Sequence, residues 1–166
     1  MCILWEDDYL DINLVEISQD FIDGIIYEAN GQRSWRFTFV YGNPDFDLRQ
    51  SQWQRLIMSC VDRNFPWLCF GDFNDILSQT EKEGDRLKED RKIRSFKHCV
   101  DCCNFVELES KGCFYTWENN CFSGKLVKEK LDRALANPAW LMLNQNVSVS
   151  ALPPVGSDHS PLLIDT

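Results

Sequence analysis

The chain has 166 residues, of which 44% are hydrophobic and 26% are charged, and its formal net charge is −9 at pH 7. This length predicts one domain over residues 1–166. The sequence has no run of about 18 apolar residues, which predicts no membrane contact. It also shows no signal peptide, which predicts an intracellular protein, nuclear or cytoplasmic. The negative charge argues against a broadly basic nucleic-acid-binding surface and leaves a few cations as candidate phosphate contacts: Arg33, Arg36, Lys125, Lys128 and Lys130.

The first part of the chain predicts the strands of a sheet. Apolar and polar residues alternate in part over 10–17 and 21–28, and apolar residues dominate 35–40 and 67–70, so four strands are predicted there. An Asn30-Gly31 dipeptide between the second and third strands predicts a hairpin turn.

Two helices are predicted to cover this sheet. Apolar residues recur at helical spacing over 47–63, and again on one face over 90–103. The stretch 80–90 is rich in Glu, Lys and Asp, and we interpret it as a solvent-exposed segment.

Shorter elements are predicted in the last part of the chain. Further strands are expected at 106–108, 114–117, 130–135, 147–149 and 162–164, and a brief helix at 138–143. Strands interspersed with two main helices are typical of a layered α/β domain.

The eight cysteines are expected to be free thiols, because a chain of this size does not need covalent cross-links. Cys99, Cys102 and Cys103 lie near His98 and imitate part of a zinc site. They share one predicted helix and lack a second pair of ligands, so zinc is the less favoured alternative.

Two polar motifs stand beside strand-like runs far apart in the chain: GDFN at 71–74 and GSDHSP at 156–161. Asp72 and Asn74 follow a buried strand, so they share one face where the strand opens into a loop. His159 is one of two histidines, and Asp158 beside it can accept a ring N–H, as in many general acids and bases. Together the motifs indicate phosphodiester chemistry.

Each candidate side chain alone also has an ordinary structural explanation. A solitary Asp72 after a strand is commonly a turn residue or a helix cap, and Tyr41 could end a strand with its hydroxyl in water. Thr116 is a strong strand former, and Asp132 with Arg133 could form a surface ion pair. Function is therefore inferred from the joint occurrence of these residues in order.

Five ordered motifs resemble the endonuclease/exonuclease/phosphatase superfamily, the deoxyribonuclease-I-like fold: WRFTFVYGNP at 35–44, GDFN at 71–74, FYTW at 114–117, KLDRAL at 130–135 and GSDHSP at 156–161. Within it, the chain looks most like the endonuclease domain of plant LINE-type non-LTR retrotransposons, in which DNA nicking primes reverse transcription. The resemblance implies a four-layer α/β sandwich, Mg²⁺ or alternatively Mn²⁺ as cofactor, and DNA as substrate and partner. It implies nothing about the oligomeric state.

The resemblance also implies roles for the matching residues. Asp72 would orient or activate the attacking water, Asn74 would hold the phosphate through its amide, and His159 would contact the scissile phosphate or act as general acid or base. Asp132 matches the carboxylate that positions this histidine, and Tyr41 would lie by the leaving group or the metal.

Three further residues are implied at the edge of this site. Asp158 would contribute to the metal site or orient the histidine network. Thr116 matches a position that contacts phosphate, and Ser157 would bind substrate.

By the same resemblance, the fold is incomplete at its N-terminus. The family begins with a strand that carries an asparagine and a second strand that ends in a metal-binding glutamate, whereas residues 1–5 resemble the strand that follows. Glu6, Asp7 and Asp8 come after that strand and are not expected to replace the glutamate. Because loss of one positioned group costs about 10²-fold or more in rate, weak or absent activity is expected.

Two alternatives to a DNA-nicking endonuclease follow. The first is a catalytically inactive retrotransposon remnant or an interaction module. The second is a small-substrate phosphatase of the same superfamily. Branches that act on inositol phosphates tend to follow Ser-Asp-His with Arg-Pro, whereas this chain has Ser160-Pro161, which favours the nuclease.

Overall fold

The computed structural model describes residues 10–28, 34–84, 86–119 and 125–166. Within these ranges the strands are β1 (Leu10–Ile17), β2 (Phe21–Glu28), β3 (Ser34–Tyr41), β4 (Trp67–Asp72), β5 (Lys82–Glu83), β6 (Val106–Glu107), β7 (Ser110–Gly112), β8 (Trp117–Glu118), β9 (Lys128–Glu129), β10 (Asp132–Ala136), β11 (Ser148–Ala151) and β12 (Leu162–Asp165). The α-helices are α1 (Phe46–Met58), α2 (Asp90–Cys102) and α3 (Pro138–Leu143), and a 3-10 helix spans Gln79–Glu81. No helix in the described ranges has the length and apolar composition needed to cross a bilayer.

The central sheet has six strands in the order β1-β2-β3-β4-β10-β6. β1, β2 and β3 pair antiparallel, whereas β3 and β4 pair parallel, which requires the crossover that contains α1. β10 runs antiparallel to both β4 and β6. Two smaller sheets have the orders β12-β11-β7 and β5-β9-β8.

Helices α1 and α2 pack on one face of the central sheet. Asp45 is the N-cap of α1, where its carboxylate accepts backbone N–H groups of the first turn, and the helix buries Trp53 and Leu56. α2 buries Phe96, whose ring centroid lies 5.1 Å from that of Trp53. Trp67 of β4 belongs to the same apolar cluster, so the helices are fixed over this strand.

The second face of β4 is covered as well. Leu68 packs with Trp140 of α3 and Val149 of β11 in a separate apolar cluster. The side-chain oxygen of Asn137 accepts the backbone N–H groups of Trp140 and Trp67, which ties the start of α3 to the start of β4. β4 is thus buried on both faces, in agreement with its continuous apolar sequence.

Gly71 allows the close approach of β4 to β3. Its φ is +131°, and a Cβ atom built there would lie 2.3 Å from the carbonyl oxygen of Val40. Val40 and Gly71 are opposite each other in the parallel register. A side chain at Gly71 would therefore force the two strands apart.

The long predicted elements are present, but several boundaries and short strands differ. The strands predicted at 10–17, 21–28, 35–40 and 67–70 are β1 to β4, and all three predicted helices exist. α1 ends earlier than predicted, at Met58, where the hydroxyl of Ser59 donates to the carbonyl of Leu56. The strand predicted over 114–117 is wrong, because β8 contains only Trp117 and Glu118.

Most described residues of the segment 80–90 are exposed, as expected. Three are exceptions: Glu81 is buried, and Lys82 and Lys88 are largely covered because they pair with acids inside the domain. Arg133 is not part of a surface ion pair with Asp132. Its guanidinium is buried and lies 2.9 Å from the carboxylate of Glu81.

Some predictions lie outside the described residues. They concern the strand at 1–5, the carboxylates Glu6, Asp7 and Asp8, the Asn30-Gly31 turn, the cation Arg33, and the thiols Cys2 and Cys121.

Candidate active site

Three inner strands of the central sheet bring polar side chains together where β3 and β4 end and β10 begins. β3 ends at Tyr41 and β4 ends at Asp72, and these residues are opposite each other in the parallel register. β10 begins at Asp132, which is opposite Asp72 in the antiparallel register. His159 comes from the loop before β12, and all four residues line one pocket of about 330 Å³.

Asp72, Asp132 and His159, called the trio below, form the chemical centre of this pocket. Each offers one ligand atom, and these atoms lie within 4.8 Å of one another. His159 Nδ1 lies 2.9 Å from Oδ2 of Asp132. A carboxylate on Nδ1 fixes the ring and leaves Nε2 for proton transfer. The trio can therefore hold a cation and exchange a proton.

Two members of the trio, Asp72 and His159, have raised pKa values. Burial, followed by the nearby charge of Asp132, raises the pKa of Asp72 to about 6, although the Asn74 N–H and His159 act in the opposite direction. The hydrogen bond to Asp132 raises the pKa of His159, and partial burial of the ring opposes this effect. A carboxyl group whose pKa approaches neutrality beside an oriented imidazole suits acid–base chemistry.

Asn74 is held in an uncommon backbone conformation, with a φ of +51°. Its backbone N–H donates to Oδ1 of Asp72 at 2.7 Å, and its side-chain Nδ2 donates to the carbonyl of Gly42 at 3.1 Å. The ammonium of Lys88 donates to the Asn74 carbonyl at 3.3 Å. These bonds fix the GDFN turn against the end of β3.

Asp158 and Ser157 lie on the histidine loop but outside the trio. Asp158 is exposed, and its Oδ2 accepts the indole N–H of Trp117 at 2.9 Å rather than the ring N–H expected from a histidine. This bond lowers the pKa of Asp158. Ser157 Oγ accepts the backbone N–H of His159 at 3.1 Å, and Ser157 lines the same pocket as the trio.

Thr116 lies behind the site. Its side chain is buried, and its hydroxyl oxygen accepts the backbone N–H groups of Leu131 at 2.9 Å and Asp132 at 2.8 Å. Both acceptor positions of the hydroxyl are thereby used, which leaves only its proton for a phosphate contact of the kind that the resemblance implies.

Solved structures match the chain, whereas no family model and no curated protein does. The endonuclease domain of TRAS1, a telomere-specific non-LTR retrotransposon, has a TM-score of 0.74 at 14% identity, over 98% of this chain and 70% of that one. An AP endonuclease from Archaeoglobus fulgidus has a TM-score of 0.61 at 16% identity, over 95% and 71%. D. rerio TDP2 complexed with a single-strand DNA product has a TM-score of 0.52 at 12% identity, over 95% and 67%.

The chain has the deoxyribonuclease-I-like fold. The α/β sandwich expected from the sequence is confirmed. Identities this low establish a likeness of fold alone.

This deoxyribonuclease-I-like domain also has buried ion pairs under the GDFN turn that sequence reasoning missed. The carboxylate of Asp75 lies 3.2 Å from Arg49 Nε and 3.3 Å from Lys88 Nζ. The same ammonium lies 3.1 Å from Glu129, so Lys88 joins the turn to β9. The position of Asp75 directly after GDFN is the one signal in the sequence that could have indicated these ion pairs.

Two of the candidate phosphate contacts are occupied by other partners. Arg36 makes two hydrogen bonds to Asp23, and the ammonium of Lys130 lies 2.9 Å from Glu107 and is largely buried. Their positive charges are already balanced by these acids, so Arg36 and Lys130 are weaker candidates for a phosphate contact than the sequence alone indicated.

The four zinc candidates point in different directions. The thiols of Cys99 and Cys103 face carbonyl oxygens of α1, at 3.8 Å from Trp53 and 3.9 Å from Leu56. Cys102 lies beside His98 on the outer side of α2. Over the described part of the chain, the trio is the group of His, Cys, Asp and Glu side chains that could hold an ion.

Proposed function

We propose that this chain is a DNA-nicking endonuclease that hydrolyses phosphodiester bonds with a divalent metal ion, as in plant LINE-type non-LTR retrotransposons. The observation that carries the proposal is the trio, which lies at the strand ends of the central sheet of a deoxyribonuclease-I-like fold. TRAS1 supports the retrotransposon type, and TDP2 with its single-strand DNA product supports a DNA substrate. The five ordered motifs support both.

The two carboxylates of the trio fit a divalent ion. Their oxygen atoms are the ligands that Mg²⁺ and Mn²⁺ prefer, whereas the imidazole nitrogen of His159 is a ligand typical of softer metals and is left for proton transfer. Burial and the charge of Asp132 raise the pKa of Asp72, and a cation held by both carboxylates would relieve their repulsion. When bound, such an ion neutralises charge on the phosphoryl oxygens and lowers the pKa of a bound water.

The side chains of the pocket supply the proton transfers. Asp72 accepts a proton from the attacking water, and Asp132 holds Nδ1 of His159 so that Nε2 serves the scissile phosphate or the leaving oxygen. Asn74 uses one amide N–H on Gly42 and donates the other to a phosphoryl oxygen. Tyr41, about half exposed at the end of β3, places its hydroxyl by the leaving group.

The remaining predicted residues support this centre. Asp158 stays a predicted metal ligand, although Trp117 now holds its carboxylate. Ser157 stays a predicted substrate contact at the pocket edge. Thr116 is proposed to support Asp132 instead of contacting phosphate.

Nicking of a supercoiled plasmid tests the proposal. The purified chain is assayed with Mg²⁺, with Mn²⁺ and with a chelator, beside Asp72→Asn and His159→Ala. Matched controls are Asp101→Asn and His98→Ala, which alter the same residue types at exposed positions of α2.

We expect weak metal-dependent nicking, in line with the low activity expected from the sequence, which both site variants lose by at least about 10²-fold and both controls keep. Absence of nicking by folded wild-type protein with either metal would overturn the proposal in favour of an inactive domain. Nicking that survives in both site variants would overturn it as well, because the trio would not be responsible.

A further inference from the structure

We propose that Thr116 is a positioning residue: its hydroxyl fixes the backbone at Asp132, so that Asp132 holds the Nδ1–H of His159. The inference rests on the proposed function only for its effect on nicking. Its effect on the His159 ring is a property of the protein without substrate or metal.

The Thr116 hydroxyl lies beside the start of β10, which begins at Asp132. Its oxygen accepts two consecutive backbone N–H groups, from Leu131 at 2.9 Å and from Asp132 at 2.8 Å. A hydroxyl oxygen has two acceptor positions, and both are used by the same short stretch of chain. Two bonds to adjacent residues restrain the direction in which the Asp132 side chain leaves the backbone.

The backbone around Thr116 also holds the loop that carries His159, the partner of Asp132. The carbonyl of Thr116 accepts the N–H of Ser160 at 2.7 Å, and Trp117 forms an isolated antiparallel bridge with His159. The N–H of Glu118 donates to the carbonyl of Asp158 at 3.1 Å. Residues 116–118 therefore join the histidine loop to β10, and the Thr116 side chain is the part of this joint that reaches Asp132.

A valine at this position would keep the shape and remove both acceptor positions. The Leu131 N–H is buried and the Asp132 N–H is partly buried, so without the hydroxyl they would have to move towards water or another acceptor, and Asp132 would move with them. The Asp132 carboxylate would then no longer impose the Nδ1–H tautomer on the neutral His159 ring. A serine keeps the oxygen and should keep the arrangement.

Nitrogen-15 NMR of the imidazole rings tests this in the folded, metal-free protein at alkaline pH, where neutral rings report their tautomer. The chain has two histidines, and His98→Gln assigns the signals of His159. We compare wild type, Thr116→Val and Thr116→Ser. The matched control is Thr38→Val, because Thr38 is equally buried and uses its hydroxyl between Asp23 and Trp67, outside the pocket.

We expect Thr116→Val to move His159 from the Nδ1–H towards the Nε2–H tautomer, and Thr116→Ser and Thr38→Val to leave it unchanged. If wild-type protein nicks DNA, Thr116→Val should lower kcat by about 10-fold to 10²-fold with little change in KM, because the general acid is misaligned while binding remains. An unchanged His159 tautomer in folded Thr116→Val would overturn the inference. Absence of nicking in wild type would count against the proposed function and leave the tautomer result to decide the role of Thr116.

Discussion

Among single residues, Asp72 shows the clearest conflict between stability and chemistry. Its pKa rises from 3.8 to about 6 on folding, chiefly through burial and then through the charge of Asp132. Between these values the folded protein keeps a proton that the unfolded chain has lost. Stability of the metal-free protein therefore falls as pH rises through this window, and above it the full cost of the buried charge is present.

Asp72→Asn should stabilise the metal-free protein by about 1–3 kcal/mol near pH 8, because the amide carries no charge to bury. Near pH ~4 the gain should be close to zero, since the wild-type carboxyl is protonated in the folded state there. Urea unfolding at both pH values measures the difference, with Asp101→Asn as an exposed control. Equal gains at the two pH values would contradict the burial of this charge.

Among the strands and helices, those whose apolar residues repeat at a regular spacing could be predicted from the sequence. Alternation and helical spacing were sufficient for β1 to β4 and for the two main helices, because their apolar faces recur within a few residues. β5 and β9 have two residues each and are polar, and their pairing depends on a contact between Lys82 and Glu129, distant in sequence. Their sequences therefore contain no periodicity to detect.

The same division applies to the candidate site. The motifs indicated Asp72 and His159, because each stands beside a strand in an otherwise apolar context. The contact between Asp132 and the His159 ring is the one that the family resemblance implied. Residue spacing alone pointed to Asp158, because the contact with Asp132 is tertiary. The role of the Thr116 hydroxyl likewise could not be predicted from local sequence. Its oxygen accepts backbone N–H groups from residues that lie 15 and 16 positions later in the chain, at the start of β10.

Lys88 is the residue that connects the GDFN turn to β9. Lys88→Met should destabilise the protein by about 2–4 kcal/mol, because two largely buried carboxylates, Asp75 and Glu129, lose one cation. It should also lower nicking, since the Asn74 carbonyl loses its donor. Urea unfolding and the plasmid assay measure the two effects, and Lys97→Met on the exposed side of α2 is the control. Equal stability of the two variants would show that Asp75 and Glu129 are satisfied without Lys88.

For the whole molecule, the net charge of −9 limits how DNA can be bound. Non-specific affinity comes mainly from cations that neutralise phosphates, and Arg36 and Lys130 already neutralise acids of this chain. The proposed DNA substrate should therefore be bound through few phosphate contacts around the pocket.

Binding of the chain to a DNA duplex should be weak and only mildly salt-dependent. We expect a Kd no tighter than about 10⁻⁵ M at physiological salt, with a slope of log K against log salt shallower than about −3. Fluorescence anisotropy with the catalytically disabled His159→Ala variant measures both without cleavage. A slope near that of a basic DNA-binding protein would mean that an extended cationic surface exists after all.

The close packing at Gly71 separates two kinds of selection that act on one four-residue motif. A Cβ there would meet the Val40 carbonyl at 2.3 Å, so any lineage that still folds must retain the glycine. Asp72 has the opposite status, because its raised pKa predicts that the folded chain gains stability at neutral pH when this charge is removed. If the proposed nuclease activity is lost in some copies of this sequence, genetic drift should replace the aspartate early and keep the glycine, and the order of these changes within GDFN would date the loss of activity.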